Sequence, residues 1–277
     1  MEEFIAYLRK IIVPIVLVGL VIVCFFPIFY IVLTSFKPAD LVFSMPPVWI
    51  FKPTLKAYYR VFELVPDFPT RVFNSTVVAV VSTFFATTIG TLAAYALSRF
   101  EIKAKEHFAF FILSTRFAPP VGFVVPFYLI FSEVALIDTL TGLFLVHIMI
   151  NLSFTVWMMR GIFDSIPVEY EEAAMVDGMT RFQALRRIVL PAAKGGIAAT
   201  AIFAMIMSWN EFVFALTLCN LRANTLPIAL PKLDQMSIVQ WEVVCACGTM
   251  IIIPMVLFTF LGQRYLIRGL TMGTVRG

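Results

Sequence analysis

The feature that most restricts this 277-residue sequence is a set of six long apolar runs with very few charged side chains. A helix needs about 20 residues to cross the hydrocarbon core of a bilayer. Only helices and closed barrels satisfy their backbone groups there, and these runs are too long for barrel strands. The six predicted spans cover residues 11–34, 72–98, 107–131, 140–160, 195–217 and 243–263. The sequence therefore predicts an all-α membrane protein with six transmembrane helices.

Composition agrees with lipid as the solvent. The chain is 61% hydrophobic and 14% charged, whereas a soluble domain carries about 25% charged residues. The net charge of +4 is small and scattered, which indicates loop charges that orient spans rather than a nucleic-acid partner. The first apolar run is far longer than the roughly 7–15-residue core of a signal peptide. We therefore interpret it as a retained span.

The distribution of Lys and Arg predicts the orientation of the spans. If the N-terminus is cytoplasmic, thirteen of the 21 basic residues fall in inner segments and seven in outer segments, while Arg116 lies within a span. The seven outer residues are Lys37, Lys52, Lys56, Arg60, Arg71, Arg222 and Lys232. Because cytoplasmic loops carry the excess of positive charge, we expect both termini in the cytoplasm.

The loop at residues 161–191 carries signals for two short helices between the fourth and fifth spans. We expect the first to start near Ser165 with Pro167 in its first turn, where a missing N–H costs little. Gly178 stands where a left-handed C-terminal cap is needed. Thr180 and Gln183 have the spacing of a capping box for the second helix.

This loop resembles the EAA loop of ABC-importer permeases at every position of that motif. The matching residues, which the resemblance implies to be ATPase-coupling residues, are Glu172, Ala173, Ala174, Gly178, Ile188, Leu190 and Pro191. In that family the loop docks into a groove on a separate ATPase. The residue types suit such a contact, because alanines allow close approach and Glu172 can pair with a basic group. The resemblance implies the type I ABC-importer permease fold.

The sequence contains no P-loop motif, so a docking loop without a nucleotide site implies that hydrolysis takes place in a partner. We expect no catalytic residue, cofactor or metal site in this chain, with ATP and Mg bound by the partner ATPase. Cys245 and Cys247 point about 200° apart on a helix and cannot share a metal. We interpret the four cysteines as small apolar residues, with a Cys219–Cys245 disulfide as the alternative.

Five further segments resemble the carbohydrate-importing members of the same family. They are residues 34–38, 94–100, 119–120, 209–212 and 269–277, and in relatives the last of these reaches into the ATPase dimer. The resemblance implies a second permease subunit, an ATPase dimer and a periplasmic or lipid-anchored solute-binding protein as partners. It also implies a small neutral solute, a sugar or polyol, and the bacterial cytoplasmic (inner) membrane as the location. The chain is then one transmembrane domain over residues 1–277, with a C-terminal tail at 264–277.

Polar residues inside the spans are the candidates for the substrate path, because ionisable groups at that depth face a cavity or a partner. The candidates are Arg116, Asn151, Asn210 and Glu211. Amide and other polar groups suit a neutral polyhydroxyl substrate. The alternative is interhelical packing, including a structural ion pair between Arg116 and Glu211. We interpret His147 as a packing histidine.

Other functions remain open at the level of sequence. An importer for glycerol phosphate, an osmolyte or an amino acid fits the same motif. A stand-alone secondary transporter would need an inverted repeat and ion-coupled carboxylates near the midplane, and only Glu211 qualifies. A membrane enzyme would need a cluster of catalytic groups, which the sequence does not show.

Overall fold

The computed structural model describes residues 2–234 and 239–271, with only the helical backbone described for 2–9, 11, 234 and 264–271. The helices are α1 Glu2–Ser35, α2 Lys56–Leu64, α3 Phe68–Arg99, α4 Lys105–Ser114, α5 Pro120–Glu133, α6 Leu140–Asp164, α7 Glu169–Val176, α8 Arg181–Ala184, α9 Leu190–Trp209, α10 Val213–Leu218, α11 Ala229–Asp234 and α12 Trp241–Thr271. Within this part of the chain, five helical runs are long and apolar enough to cross a membrane: Ile12–Ser35, Phe68–Arg99, Leu140–Asp164, Arg181–Trp209 and Trp241–Gln263. The all-α prediction is confirmed.

The third predicted span, 107–131, is two helices rather than one. α4 ends at Ser114 and α5 begins at Pro120, with Pro119 in an extended conformation between them. A proline ring has no N–H and clashes with the preceding helical turn. The pair of prolines therefore interrupts the helix inside an apolar stretch.

The fifth span also differs from its prediction of 195–217. Its helical run begins at Arg181 and ends at Trp209, and the short helix α10 follows a break. A π-helical turn joins α8 to α9, in which the Leu190 N–H bonds to the carbonyl of Leu185, five residues earlier. This wider turn admits Pro191 near the start of α9, because its ring then avoids the usual clash with the preceding turn.

The chain divides into two compact units, the first comprising residues up to 68 and the described part of 229–253. The Trp49 ring packs against the rings of Phe26 and Tyr30 near the end of α1, with centroids 6.4 and 6.0 Å away. Lys37 is buried, and its ammonium lies 5.3 Å from the Tyr30 ring and 5.7 Å from the Phe51 ring. The Pro- and aromatic-rich loop after α1 is thus an ordered segment.

The second unit comprises residues 69–228 and the chain from 254 onward. Its most extensive helix pair is α6 with α9. Two glycines allow neighbours to approach α6 closely. A Cβ at Gly90 would lie 2.5 Å from Thr155 Cγ2, and one at Gly196 would lie 2.4 Å from Ile162 Cδ1. Small residues are typical of such contacts in membranes, where close packing drives helix association.

Two of the buried apolar clusters in the second unit each join several elements. One joins α3, α5, α6 and α10 through residues such as Leu143 and Phe214. The other joins the end of α3 to the docking loop through Tyr95, Phe163 and Leu185. Cys219 and Cys245 do not form a disulfide with each other, so the disulfide alternative is wrong. Residues 272–277 lie outside the described part of the chain, and the role of that ending stays a prediction.

Candidate functional site

The docking loop begins with a short connection rather than with a helix. α6 continues to Asp164, and Ser165 closes its last turn. The residue before a proline is disfavoured in a helix, so Pro167 holds the connection open. α7 therefore starts at Glu169, not near Ser165 as predicted.

Gly178 ends α7 in the conformation that the sequence predicted. Its φ is +92°, a value at which a Cβ is strained. Its N–H donates to the carbonyl of Met175 (3.0 Å), and the Met179 N–H donates to the carbonyl of Ala174 (3.0 Å). These two bonds are the Schellman motif. A Cβ at Gly178 would meet no atom within 4 Å, so the requirement for glycine is one of backbone conformation.

The predicted capping box at the second helix is confirmed. The Gln183 N–H donates to Thr180 Oγ1 (3.3 Å), and the Thr180 N–H donates to Gln183 Oε1 (2.8 Å). Both ends of the turn between α7 and α8 are thus held by local hydrogen bonds. The local sequence therefore determines the conformation of the turn between α7 and α8.

One side of α7 is open to solvent, and we call it the docking face. It consists of Tyr170, Ala173 and Val176, which are spaced three residues apart, together with Glu172 next to Ala173. Tyr170 is 60% exposed and Val176 is 88% exposed. Exposed apolar groups beside a carboxylate form a surface suited to a partner protein.

The opposite side of α7 packs into the chain itself. Ala174 is 6% exposed and Glu171 is 3% exposed. Of the two motif alanines that we expected at a partner surface, only Ala173 lies there. Ala174 shares its helix face with Glu171, three residues earlier, and that face is turned inward.

Glu171 belongs to a buried polar cluster that we call the Arg99 clamp, formed by Tyr95, Arg99, Glu171 and the carbonyl of Ile166. Arg99 Nε forms an ion pair with Glu171, and both side chains are less than a tenth exposed. Tyr95 donates its O–H to Glu171 Oε2 (2.6 Å), and Arg99 Nη2 donates to the Ile166 carbonyl (2.8 Å). The clamp thereby joins the last turns of α3 to the docking loop.

The sequence analysis did not identify the clamp as a functional unit. Glu171 is one of three acidic residues in the first turn of α7, and nothing local shows which of them points inward. Arg99 is the last residue of a span, a position at which an exposed basic residue is ordinary. Its place in the family-like segment 94–100 was the one available signal.

The remaining motif residues form the start of the fifth span. Leu190 and Ile188 are partly buried, and Leu190 packs against the cluster around Tyr95 and Phe163. Pro191 is exposed at the first turn of α9. These residues support the loop from behind and do not extend the docking face.

Glu211 lies at the break in the fifth span and caps α10. Its carboxylate accepts N–H bonds from Phe214 (2.9 Å) and Ala215 (3.1 Å). His147 Nε2 lies 3.5 Å from Glu211 Oε2, while His147 Nδ1 is 2.6 Å from Ser208 Oγ. The expected packing role of His147 is therefore observed. The alternative Arg116–Glu211 ion pair is not found among the described residues.

The two asparagine candidates occupy different environments. Asn151 is 1% exposed, and its side-chain oxygen has no hydrogen-bond partner among the described residues. It does not line an open path in this conformation, because α6 turns it into the packed interior. Asn210 is exposed, and its side-chain N–H₂ group donates to the carbonyl of Ile206 (2.8 Å) and to Met255 Sδ (3.1 Å).

Arg116 lies at the break between α4 and α5. Its Nη2 lies 3.3 Å from Met207 Sδ, and the side chain is exposed. It lines a cavity of about 260 Å³ bounded by α5, α6 and α10. Of the four candidates for the substrate path, Arg116 is the one that lines this cavity; the other three do not.

Known proteins match this sequence along nearly its whole length. The family described as binding-protein-dependent transport system inner membrane component matches residues 6–272. A probable ABC transporter permease protein of Sinorhizobium fredii is 37% identical over 93% of this chain and 92% of its own. The trehalose/maltose transport system permease protein of Thermococcus litoralis is 30% identical over 98% of both chains. The diacetylchitobiose uptake system permease protein of Streptomyces coelicolor is 32% identical over 91% of this chain and 92% of its own.

A solved structure shares the fold. It is a bacterial ABC transporter involved in the import of the acidic polysaccharide alginate, and one of its chains is 26% identical to this one. The superposition has a TM-score of 0.75 and covers 94% of this chain and 96% of the other. The fold of this chain thus belongs to a known membrane architecture.

Proposed function

Because the chain belongs to the family of inner-membrane components of binding-protein-dependent transport systems, we propose that it is one of two permease subunits of an importer for a neutral sugar or polyol. It forms half of the translocation pore and is driven by a separate ATPase dimer that binds ATP and Mg. A periplasmic or lipid-anchored solute-binding protein delivers the solute. The family places the chain in the inner membrane.

The docking face is the observation that supports a contact between this chain and the ATPase. A short helix that ends in a Schellman turn presents Tyr170, Ala173 and Val176 to solvent with Glu172 beside them. Small and apolar groups allow a close fit to a groove, and the carboxylate adds a directional contact with a basic side chain. The loop matches the coupling motif of the family in sequence, so we assign it the contact with the ATPase.

Relatives support a carbohydrate as the solute. Their names include trehalose, maltose and diacetylchitobiose. Away from the ends of the predicted spans the sequence offers one Lys or Arg, Arg116, and an anionic solute would be better served by several. Glycerol phosphate and osmolytes remain the competing solutes.

The docking assignment can be tested by co-purification of the ATPase with a Glu172→Lys variant of the complete transporter. We expect both ATPase retention and sugar uptake to fall, because a reversed charge at a partly buried contact costs up to about 3–5 kcal/mol. Glu101→Lys is the matched control, since Glu101 is also exposed and lies in a predicted cytoplasmic loop outside the docking face. Wild-type retention and uptake in Glu172→Lys would contradict the assignment.

The solute class can be tested on the binding protein encoded with this chain. A thermal-shift screen of sugars, polyols, glycerol phosphate and osmolytes should show stabilisation by a sugar or polyol. Ligand binding to the folded state raises Tm by mass action. Stabilisation by glycerol phosphate alone would refute the sugar assignment without affecting the docking assignment.

A further inference from the structure

The cavity beside Arg116 contains several groups that suit a sugar. It lies between the α4–α5 break, α6 and α10, and its lining includes Arg116, Thr115, Phe123, Phe127 and Phe214. Its volume is about 260 Å³. Pockets for drug-sized ligands measure roughly 300–1,000 Å³, so this one fits a single small ring.

The position of Arg116 indicates that the cavity is wet or occupied by a polar group. Ten helical residues of α4 separate the predicted cytoplasmic side from the break. At 1.5 Å per residue this places Arg116 about 15 Å deep, near the middle of a hydrocarbon core about 30 Å thick. A charge at that depth costs about 2.5–3.5 kcal/mol on insertion scales and almost always faces protein or a water-filled cavity. Facing lipid would be the least favourable arrangement.

Arg116 has donors to offer. A guanidinium carries five N–H groups, and in the structure this side chain contacts Met207 Sδ. A thioether is a weak acceptor. The remaining N–H groups of this exposed side chain can therefore donate to the hydroxyl oxygens of a solute.

Acceptors lie on the same segment. The carbonyls of Thr115 and Arg116 would bond to the N–H groups four residues later in a continuous helix, but those positions are Pro119 and Pro120, which have none. Thr115 Oγ1 donates its proton to the carbonyl of Ile112 (2.7 Å), so the hydroxyl oxygen of this cavity-lining residue keeps lone pairs that can accept. These groups can accept the hydroxyl protons of a solute.

Aromatic side chains of the cavity lining form an apolar wall, in addition to the donors and acceptors. Phe123 is 43% exposed and lines the cavity. Phe127 stands edge-on to the buried Phe214 ring, with centroids 5.7 Å apart. An aromatic ring has a negative face, and the C–H groups on one side of a pyranose carry a slight positive charge. The exposed ring of Phe123 on this aromatic wall can therefore serve as a stacking platform for such a face.

We propose that this cavity is a subsite for one pyranose ring of a neutral saccharide, stacked on Phe123 and held at its hydroxyls by Arg116 and the open carbonyls of the α4–α5 break. The subsite rests on the proposed transport of a sugar. It assigns part of the solute contact to this permease subunit. The donors, the acceptors and the apolar platform together match the alternating surface of a sugar ring.

The first experiment asks whether water reaches the cavity. A Phe123→Cys variant of the complete transporter, in a background without the four native cysteines, is treated with a membrane-impermeant thiol reagent during turnover with ATP and sugar-loaded binding protein. We expect labelling. Absence of labelling under turnover would overturn the subsite, because lipid or the second permease subunit would then fill the cavity.

The second experiment measures coupling in proteoliposomes with radiolabelled trehalose, maltose and diacetylchitobiose. Phe123→Leu keeps the apolar volume but removes the ring, whereas Phe123→Tyr keeps the ring. With Phe123→Leu we expect the ATP hydrolysed per sugar imported to rise roughly two- to tenfold, the worth of one aromatic contact. Phe123→Tyr should lie near wild type. Phe117→Leu is the matched control, since Phe117 is 74% exposed on the same break and does not line the cavity.

The outcomes separate the subsite from the proposed function. If Phe123→Leu lowers import and ATP hydrolysis together and leaves their ratio unchanged, the variant has suffered a general loss of assembly. That result would overturn the subsite. An equal effect of Phe117→Leu and Phe123→Leu would also overturn it. If the wild-type transporter imports none of the three sugars and the binding protein is stabilised by no sugar or polyol, the assigned solute class is contradicted, and the subsite is contradicted with it. If it imports one and Phe123→Leu has the wild-type ratio, the subsite alone fails.

Discussion

At the scale of single residues, the docking loop depends on a few side chains with defined tasks. Gly178 supplies a backbone conformation that L-residues avoid. Glu172 is exposed and free to meet a partner, whereas its neighbour Glu171 is buried against Arg99. Two adjacent carboxylates therefore have different roles, because successive positions on a helix point about 100° apart.

The strain at Gly178 leads to the first prediction. Gly178→Val forces a β-branched residue to positive φ, which costs roughly 1–2 kcal/mol, and we expect α7 to turn away from its partner. ATPase retention and uptake should fall together, while insertion and assembly with the second permease stay near wild type. Gly178→Asn is the control, because Asn tolerates the left-handed conformation. Equal behaviour of Val and Asn at this position would show that the backbone conformation is not what matters.

A second prediction concerns Asp138, which lies in the connection before α6. Partial burial raises the pKa of the Asp138 carboxyl. Hydrogen bonds from four backbone N–H groups outweigh this effect and hold the pKa of Asp138 below its ordinary value; the donors are Asn220, Leu221, Arg222 and Ala223. A lowered folded pKa contributes stability that is complete above the unfolded value, about 3.9. That contribution is lost as the pH falls through the folded value.

We therefore expect Asp138→Asn to destabilise the complex at neutral pH by about 1.5–3 kcal/mol, the worth of a hydrogen bond to a charged group. The difference in Tm between wild type and variant should be constant from pH 8 to about 5 and should narrow below that. Thermal unfolding in detergent measures it. A difference that grows on acidification would contradict the assignment.

At the scale of secondary-structure elements, the helix ends and breaks carry the functional candidates. α3 ends in the Arg99 clamp, α4 and α5 are separated at Arg116, and α9 is separated from α10 at Glu211. Non-helical backbone inside a membrane is tolerated where it is buried in protein or lines a cavity. The clamp attaches the docking loop to the second span, so we expect a movement of α7 to be transmitted to α3.

The clamp can be tested with a double-mutant cycle. Glu171→Met leaves Arg99 buried without its counter-ion and should cost about 3–5 kcal/mol, with a loss of uptake even when ATPase is retained. Arg99→Met combined with Glu171→Met removes both charges and should be less damaging than either single change. Uptake, ATPase retention and ATP hydrolysis are measured for all four proteins. Additive effects of the two substitutions would show that the residues do not act as a pair.

At the scale of the whole molecule, the prediction is that this chain works only in a complex and with both termini in the cytoplasm. In a cysteine-free background, Asp177→Cys at the end of α7 should react with an impermeant thiol reagent only from the inside. Asp40→Cys in the first outer loop is the control and should react from the outside. Labelling of position 177 from outside would contradict the predicted orientation.

Ion-gradient-driven transport by this chain reconstituted alone would refute the prediction that the chain works only in a complex.

The sequence by itself determined the helical class, the approximate positions of the spans and the docking hairpin. These depend on local properties: the length of an apolar run, the backbone demand at Gly178 and the capping pair Thr180 and Gln183. Only the tertiary structure decided which polar residues are buried and which are open. It turned Asn151 inward, paired Glu171 with Arg99, and placed Glu211 against His147 rather than Arg116. The reason is physical: the contacts of these side chains depend on helix rotation and on partners 60 or more residues away, which no local pattern in the sequence encodes.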